Sequence, residues 1–203
     1  MIYKLRDIIR DVRITLDENR RSEPLITEGD IDTLSLDELI ASKVIEGVRN
    51  IVTTASVEDL DGGNPFGDSV SWQRQRGGNY MGRILLPDDF LRLVIFKMSD
   101  WERAVYIPVL SGDAQYMRQF SRYKGLRGNG QKPVVAIVKR SEGLILEFFS
   151  SKDTDATVEQ AEYYGLPRID RDGGVKIPRR CYTSAINEIG GLVAGSLNII
   201  RNA

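Results

Sequence analysis

The chain has 203 residues, of which 41% are hydrophobic and 28% are charged, and its formal net charge at pH 7 is -1. This composition is that of a globular protein and fits neither a disordered chain nor a membrane protein. The near-neutral charge gives no overall indication of nucleic-acid binding, which usually accompanies a basic excess.

Two residue types that catalysis and metal binding often use are scarce. Histidine is absent and Cys181 is the single cysteine, which excludes an intrachain disulfide, a thiolate metal cluster and a Ser-His or Cys-His nucleophile pair. The carboxylate pairs Asp88-Asp89 and Asp153, Asp155 lack the spacing of a calcium loop. We therefore expect a protein that is not an enzyme and that binds neither a cofactor nor a metal, although catalysis by lysine and carboxylate side chains remains open.

The sequence also bears on cellular location. Residues 1–7 reach charged side chains at once and contain no apolar signal core. No run approaches the roughly 18 apolar residues of a membrane span. We therefore expect a protein that is made and kept in a reducing cytosol, with no membrane partner.

Two amphipathic helices are predicted near the start of the chain. Residues 2–19 carry an apolar stripe at helical spacing, which is typical of a helix that packs on its own core or binds a partner. An acidic connector follows over 19–34. Ser35 and Glu38 then match a capping box, and the apolar residues after them predict a core helix over about 36–54.

Residues 56–82 are predicted to form an extended loop. They contain the turn-forming clusters Asp61–Pro65 and Gly77–Asn79, although 71–76 alternates and is compatible with a short strand. A loop of this length inside a compact domain is usually functional or disordered.

Strand patterns dominate from Tyr80 onward. The predicted strands cover residues 83–86, 90–98 and 104–107, then 133–138 and 144–149 as a hairpin, and 157–164 as an edge strand. A helix inserted after Asp113 is predicted to carry Tyr116, Met117, Phe120 and Tyr123 and to end at Gly125. A last helix has Pro178 in its first turn.

This order of elements predicts an α+β fold with a mostly antiparallel sheet, an inserted helix and a C-terminal helix. We expect one domain over 1–203. Its parts are a helical part (1–55), the extended loop (56–82), a mainly β part (83–170) and a C-terminal helix with a tail (175–203).

A basic stretch without acidic residues runs from Arg118 to Arg140. Its cations are Arg118, Arg122, Lys124, Arg127, Lys132, Lys139 and Arg140. Cations interleaved with aromatic residues are able to follow a nucleic-acid backbone. The alternative is a solvated helix face whose aromatic residues belong to the core. A phosphate loop is disfavoured, because the glycine-rich segment 125–132 is preceded by a predicted helix and followed by a strand.

Acidic residues concentrate in a different segment, the N-terminal connector. They are Asp17, Glu18, Glu23, Glu28, Asp30, Asp32, Asp37 and Glu38. Opposite charges on different segments suit a subunit that packs against copies of itself, because complementary patches set orientation. An unpatterned surface is the alternative.

The last helix is unusually rich in glycine. Gly190, Gly191 and Gly195 lie on it together with small neighbours, and each glycine costs a helix about 1 kcal/mol. Close approach of another backbone, within the subunit or between subunits, would offset that cost. We interpret this face as an oligomer or partner contact.

The layout resembles the head-to-tail adaptor proteins of short-tailed bacteriophages, the tail tubular protein A or gatekeeper group. The similarity lies in N-terminal helices, the phrase Leu86–Leu93 (LPDDFLRL) leading into strands, and the proline-preceded helix at Ile177–Tyr182 (IPRRCY). It covers most of the chain in order rather than through a diagnostic motif. A ring protein of the crass-like phages fits the same pattern.

The resemblance implies a virion protein assembled in the host cytoplasm. It implies a homo-oligomeric ring of twelve subunits that joins the portal protein to downstream tail proteins around packaged DNA. It places the C-terminal segment against the portal, which gives Pro178, Gly190, Gly191, Gly195, Ile199 and Ile200 as candidate contacts. The basic candidates for the DNA channel are Arg118, Arg122, Lys124, Arg127 and Lys132. The family contributes no catalytic residues.

Two rival functions come from other classes. The first is a nucleic-acid-binding accessory protein that uses Arg118 to Arg140. The second is an enzyme that works through carboxylates and lysine, which would need a cleft whose carboxylates have shifted pKa values.

Overall fold

The computed structural model describes residues 1–16, 35–67, 69–75 and 80–202, with the side chains of 198–202 excepted. The fold is α+β, as predicted. The chain's contacts form two compact units, Met1–Gly62 with Leu166–Ala203 and Gly63–Gly165. We call them the helical unit and the β unit. The sequence analysis did not anticipate this division, because turn-forming residues such as those at Gly62 and Gly63 also occur within a single unit.

The described residues of the helical unit form three α-helices and a two-stranded antiparallel sheet. Its elements are β1 (Ile2–Lys4), α1 (Leu5–Thr15), α2 (Leu36–Thr54), β10 (Gly174–Lys176) and α4 (Tyr182–Asn202), with 3-10 turns at Val57–Asp59 and Arg179–Cys181. The first helix begins later than predicted, because residues 2–4 pair with residues 174–176. The acidic connector, 19–34, lies outside the described residues.

The capping box at the start of α2 is confirmed. Ser35 Oγ accepts a hydrogen bond from the Glu38 amide at 3.3 Å, and the Glu38 carboxylate accepts one from the Ser35 amide at 2.8 Å. These bonds lower the pKa of Glu38, with the backbone bond as the main cause. The helix boundaries at Leu36 and Thr54 also match the prediction, because capping and periodicity are local signals.

Tyr182 joins α4 to the start of the chain. Its ring stacks on Tyr3 with centroids 4.1 Å apart, and its hydroxyl donates to Asp11 Oδ2 at 2.7 Å. Burial and that hydrogen bond together raise the pKa of the Tyr182 hydroxyl. The side chain therefore ties β1, α1 and α4 into one unit.

Where the structure describes it, the β unit contains two sheets, one short α-helix and a 3-10 turn at Lys124–Leu126. Its elements are β2 (Asn64–Pro65), β3 (Ser71–Arg74), β4 (Tyr80–Leu85), β5 (Phe90–Met98), β6 (Val109–Leu110), α3 (Ala114–Arg118), β7 (Val134–Arg140), β8 (Gly143–Ser151) and β9 (Val158–Gly165). One sheet has the order β2-β9-β5 and the other β3-β4-β8-β7-β6. The named pairings are antiparallel except that of β6 with β7.

The two sheets of the β unit share an aromatic core. Phe96 on β5 and Phe148 on β8 are fully buried, with ring centroids 5.0 Å apart, and Trp101 packs against both. Gly82 on β4 leaves the space that the Phe148 ring fills. The predicted hairpin is confirmed, since β7 and β8 pair to Arg140 and Gly143 around a two-residue turn.

Three predictions in this unit were wrong. The strand at 157–164 is not an edge strand, because β2 covers its outer side. The segment 56–82 is not one extended loop, because its described part holds a 3-10 turn, β2, β3 and the start of β4. The inserted helix is only five residues long, so Phe120 and Tyr123 lie beyond it.

The strand predicted at 104–107 is reduced to one bridge between Val105 and Phe96. An alternating pattern over four residues predicts an extended backbone but not its partner, and here only Val105 pairs with a neighbouring strand. None of the helices in the described part of the chain combines the length and the apolarity needed to span a bilayer.

Helix packing in the helical unit generates the first prediction. A Cβ added to Gly47 on α2 would lie 2.5 Å from Ile189 Cγ1 on α4, whereas one added to Gly191 meets nothing within 4 Å. Gly47→Ala should therefore lower the free energy of unfolding by about 1–3 kcal/mol through overpacking. Gly191→Ala should raise it by about 0.5–1 kcal/mol, because alanine favours a helix interior.

Urea unfolding of the two variants at one pH measures both changes. Equal effects of the two substitutions would contradict close helix contact at Gly47, because the variants differ only in the space around the new methyl group.

Candidate interaction surface on the β unit

Large apolar side chains are exposed along the chain from the end of β5 to the start of β7. Those that the structure describes as exposed are Tyr106, Ile107, Leu110, Met117, Phe120, Tyr123 and Leu126. The cause is the shortness of α3, which buries only Tyr116. The sequence analysis gave, as one alternative, a helix whose aromatic residues belong to the core. Of the four residues predicted for that helix, Tyr116 is in the core, whereas Met117, Phe120 and Tyr123 are exposed.

Cations accompany the exposed apolar residues. Arg118, Arg122, Lys124 and Lys132 are exposed, whereas Arg127 is 7% exposed and buried. Arg127 was predicted as a candidate DNA contact and is therefore not on the surface, because the segment around Gly128 folds under the end of α3. We call the exposed residues Met117, Arg118, Phe120, Arg122, Tyr123, Lys124 and Leu126 the α3 surface.

Two contacts hold side chains of the α3 surface in place. The Phe120 ring, 51% exposed, packs edge-on against Tyr116 at 5.2 Å and Phe149 at 5.7 Å. Arg122 Nη2 donates to the Tyr123 hydroxyl at 2.7 Å, and its guanidinium carbon lies 4.8 Å from the centre of that ring. Rings that are held but exposed lose little side-chain entropy when a partner covers them.

The glycine-rich segment at 125–132 has a structural role. Gln119 is buried, and its Oε1 accepts a hydrogen bond from the Gly128 amide at 2.8 Å while its Nε2 donates to the Gln115 carbonyl at 2.9 Å. The segment begins within the 3-10 turn Lys124–Leu126, and β7 follows it. This order is the reverse of a phosphate loop, which opens a helix after a strand.

A buried carboxylate lies beneath α3. Glu147, fully buried on β8, accepts a hydrogen bond from the Tyr116 hydroxyl at 2.8 Å, and its Oε1 lies 2.9 Å from Arg140 Nη2 and 3.2 Å from Arg83 Nε. Burial, followed by the bond to Glu147, raises the pKa of Tyr116. The pKa of Arg140 is raised chiefly by its hydrogen bond to Glu147.

Charge in this cluster is unbalanced. Two guanidinium groups share one carboxylate, and both are partly open to solvent, with side-chain exposures of 37% for Arg83 and 42% for Arg140. The cluster therefore leaves residual positive charge at the surface. Sequence reasoning missed Glu147, although its position as the one charged residue in the apolar run 144–149 was an available signal.

A cleft of about 430 Å³ opens beside the α3 surface. It is lined by Gln73, Arg74, Gln75, Met81, Arg83, Gln119 and Phe120. Its wall thus combines an aromatic ring with two guanidinium groups and amides. Such a lining suits an anionic group next to an apolar one.

The candidate contacts on the C-terminal helix separate into two groups. Pro178 and Gly190 are buried within the helical unit, and a Cβ added to Gly190 would lie 3.7 Å from Thr15 Cγ2. These two residues were predicted as partner contacts, but both are covered by their own unit, at Gly190 because α1 approaches α4 there. Gly191 and Gly195 are exposed. The side chains of Ile199 and Ile200 lie outside the described residues.

No protein-family model and no curated protein matches this sequence. Among the described residues, no group of three or more Cys, Asp and Glu side chains is arranged to hold a metal ion.

The buried carboxylate generates the second prediction. Glu147→Gln should lower the free energy of unfolding by about 1–3 kcal/mol, because an amide nitrogen would then face the donors of Tyr116, Arg83 and Arg140. The partly exposed arginines reach water, which keeps the loss below that of a fully buried ion pair. Urea unfolding measures the change.

Glu142→Gln is the matched control, since Glu142 is an exposed residue of the turn between β7 and β8. It should change stability by less than about 0.5 kcal/mol. If both variants lose the same stability, Glu147 is not the anchor of α3.

Proposed function

We propose that the chain is a structural subunit of the head-to-tail connector of a short-tailed phage. In this role it forms a ring of twelve subunits that joins the portal to the tail around the DNA channel. The α3 surface carries the proposal. Its work is binding, so no bond is made or broken, and neither a cofactor nor a catalytic residue is required.

The composition of the α3 surface supports a protein partner. Tyr, Phe, Met and Arg are the residues enriched in the centre of interfaces, and this surface presents all four within Met117–Leu126. Monomeric proteins rarely expose contiguous apolar patches without a functional reason. Its aromatic residues are held by neighbours, as in binding hot spots.

The outward face of α4 supports a second contact. A Cβ added to Gly191 or Gly195 would meet nothing within 4 Å beyond its own helix, so a partner backbone has room to approach α4 closely. A ring joined to a portal requires contacts of two kinds, between copies and along the axis. The resemblance to adaptor proteins places the C-terminal segment at the portal.

The phrases that carry the resemblance occupy defined positions. Leu86–Leu93 forms the turn between β4 and β5 and the first part of β5, and Ile177–Tyr182 leads from β10 into α4. The first phrase connects two strands of the β unit, and the second connects a strand to a helix of the helical unit. Both phrases thus lie where one element leads into the next, and the α3 surface adds a physical reason for assembly.

The connector proposal predicts association through the α3 surface. The purified chain should form a ring by native mass spectrometry, alone or with a portal protein. Met117→Gln should weaken association at least tenfold, because it places an amide in a contact that excludes water. Ile14→Gln changes an equally exposed residue of α1 and should have little effect.

A chain that stays monomeric with and without the portal at all concentrations contradicts the connector function. If Met117→Gln and Ile14→Gln change the association constant equally, the α3 surface is not part of the contact.

A second candidate function is nucleic-acid binding. The observation in its favour is that Arg118, Arg122, Lys124 and Lys132 are exposed beside the Tyr123 ring. Cations neutralise phosphates, and an exposed ring offers a stacking platform for a base. A connector that surrounds DNA would use the same cations to line its channel.

Nucleic-acid binding predicts a salt effect. Replacing Arg122 and Lys124 by Ala should weaken binding to double-stranded DNA and reduce the slope of log K against log salt by about 2, because each lost phosphate contact removes about 0.9. Replacing Arg103 and Lys152, two exposed cations elsewhere in the β unit, removes the same charge. Equal slopes for the two double variants, measured by fluorescence anisotropy, would exclude a specific role of the α3 surface in DNA binding.

A further inference from the structure

The α3 surface and the neighbouring cleft carry an excess of positive charge next to apolar rings. From Ala114 to Lys132 the chain has no acidic residue. Arg74 and Arg83 line the cleft with Phe120, and the single buried carboxylate is shared by Arg83 and Arg140. A partner that fits this surface brings carboxylates together with aliphatic side chains.

The chain itself contains a segment with this chemistry. Residues 23–34, EPLITEGDIDTL, hold the carboxylates Glu23, Glu28, Asp30 and Asp32 and no basic residue. Leu25, Ile26, Ile31 and Leu34 alternate with them. These residues lie outside the described part of the structure.

We propose that residues 23–34 of a neighbouring copy bind to the α3 surface and the cleft. Carboxylates of that segment pair with Arg74, Arg122 and Lys124, and its aliphatic side chains cover Phe120 and Tyr123. The inference rests on the proposed ring function and deepens it, because it identifies the contact between adjacent copies.

Ring geometry favours a second copy over the chain's own segment. In a head-to-tail ring each subunit presents two different surfaces, one to each neighbour. A basic apolar surface and an acidic apolar segment in one sequence supply such a complementary pair. Charge complementarity also fixes orientation, since the like-charged pairings repel.

Charge reversal tests the contact. The first variant carries Arg122→Glu and Lys124→Glu, and the second carries Glu28→Lys and Asp30→Lys. Each variant alone should associate at least tenfold more weakly than the wild-type chain in sedimentation velocity. The control, Arg103→Glu with Lys152→Glu, reverses two exposed cations outside the surface and should associate like the wild type.

Mixing the two variants separates a contact between copies from one within a chain. In a 1:1 mixture the acidic segment of the first variant meets the basic surface of the second. The reversed segment of the second then meets the reversed surface of the first. Association should return to within about threefold of wild type. A contact within one chain is not restored by mixing, and that result would overturn the proposal.

The remaining outcomes distinguish this contact from the connector function. If both variants assemble like wild type, alone and on the portal, the contact is wrong and the connector function stands. If the wild-type chain associates with neither itself nor the portal, both fall. Thermal unfolding of each variant within a few degrees of wild type establishes that the substitutions leave the fold intact.

Discussion

The packing of α3 on the β unit depends on the partners of one buried carboxylate, that of Glu147. Glu147 lies in the interior of the five-stranded sheet, where an ionised carboxylate without partners would cost several kcal/mol. Its partners come from β4, β7 and α3, that is, from three different stretches of the chain. The bond from Tyr116 therefore fixes α3 against the sheet, and the position of α3 determines which side chains after it face solvent.

The exposed rings follow from that attachment. Tyr116 points inward to Glu147, and a helix of five residues ends before it can bury a second apolar turn. Phe120 is then held at the rim by Tyr116 and Phe149 while half of its surface stays accessible. The surface is ordered by the core beneath it, so a partner meets preformed anchors and association costs less entropy.

Local signals were sufficient to predict part of this structure. The capping box and apolar period of α2 and the turn between β7 and β8 lie within short windows, and both were predicted correctly. The central position of β9 was missed, because it depends on β2, a two-residue strand almost a hundred residues away. Exposure of Phe120 and burial of Arg127 were also beyond sequence reasoning. Both depend on where α3 ends and on how Gln119 holds the segment that follows.

Small and large residues contribute differently in the two units. In the helical unit Gly47 lets α2 and α4 pack closely and so contributes to that unit's own stability. In the β unit Met117, Tyr123 and Leu126 are more than half exposed, and Phe120 contacts the core only at its edge, so this exposed area does little to stabilise the isolated chain. Area of this kind leaves water only when the surface is covered. Because the chain has no acidic residue from Ala114 to Lys132, a partner of the kind proposed above would cover this surface with negative charge as well as apolar area.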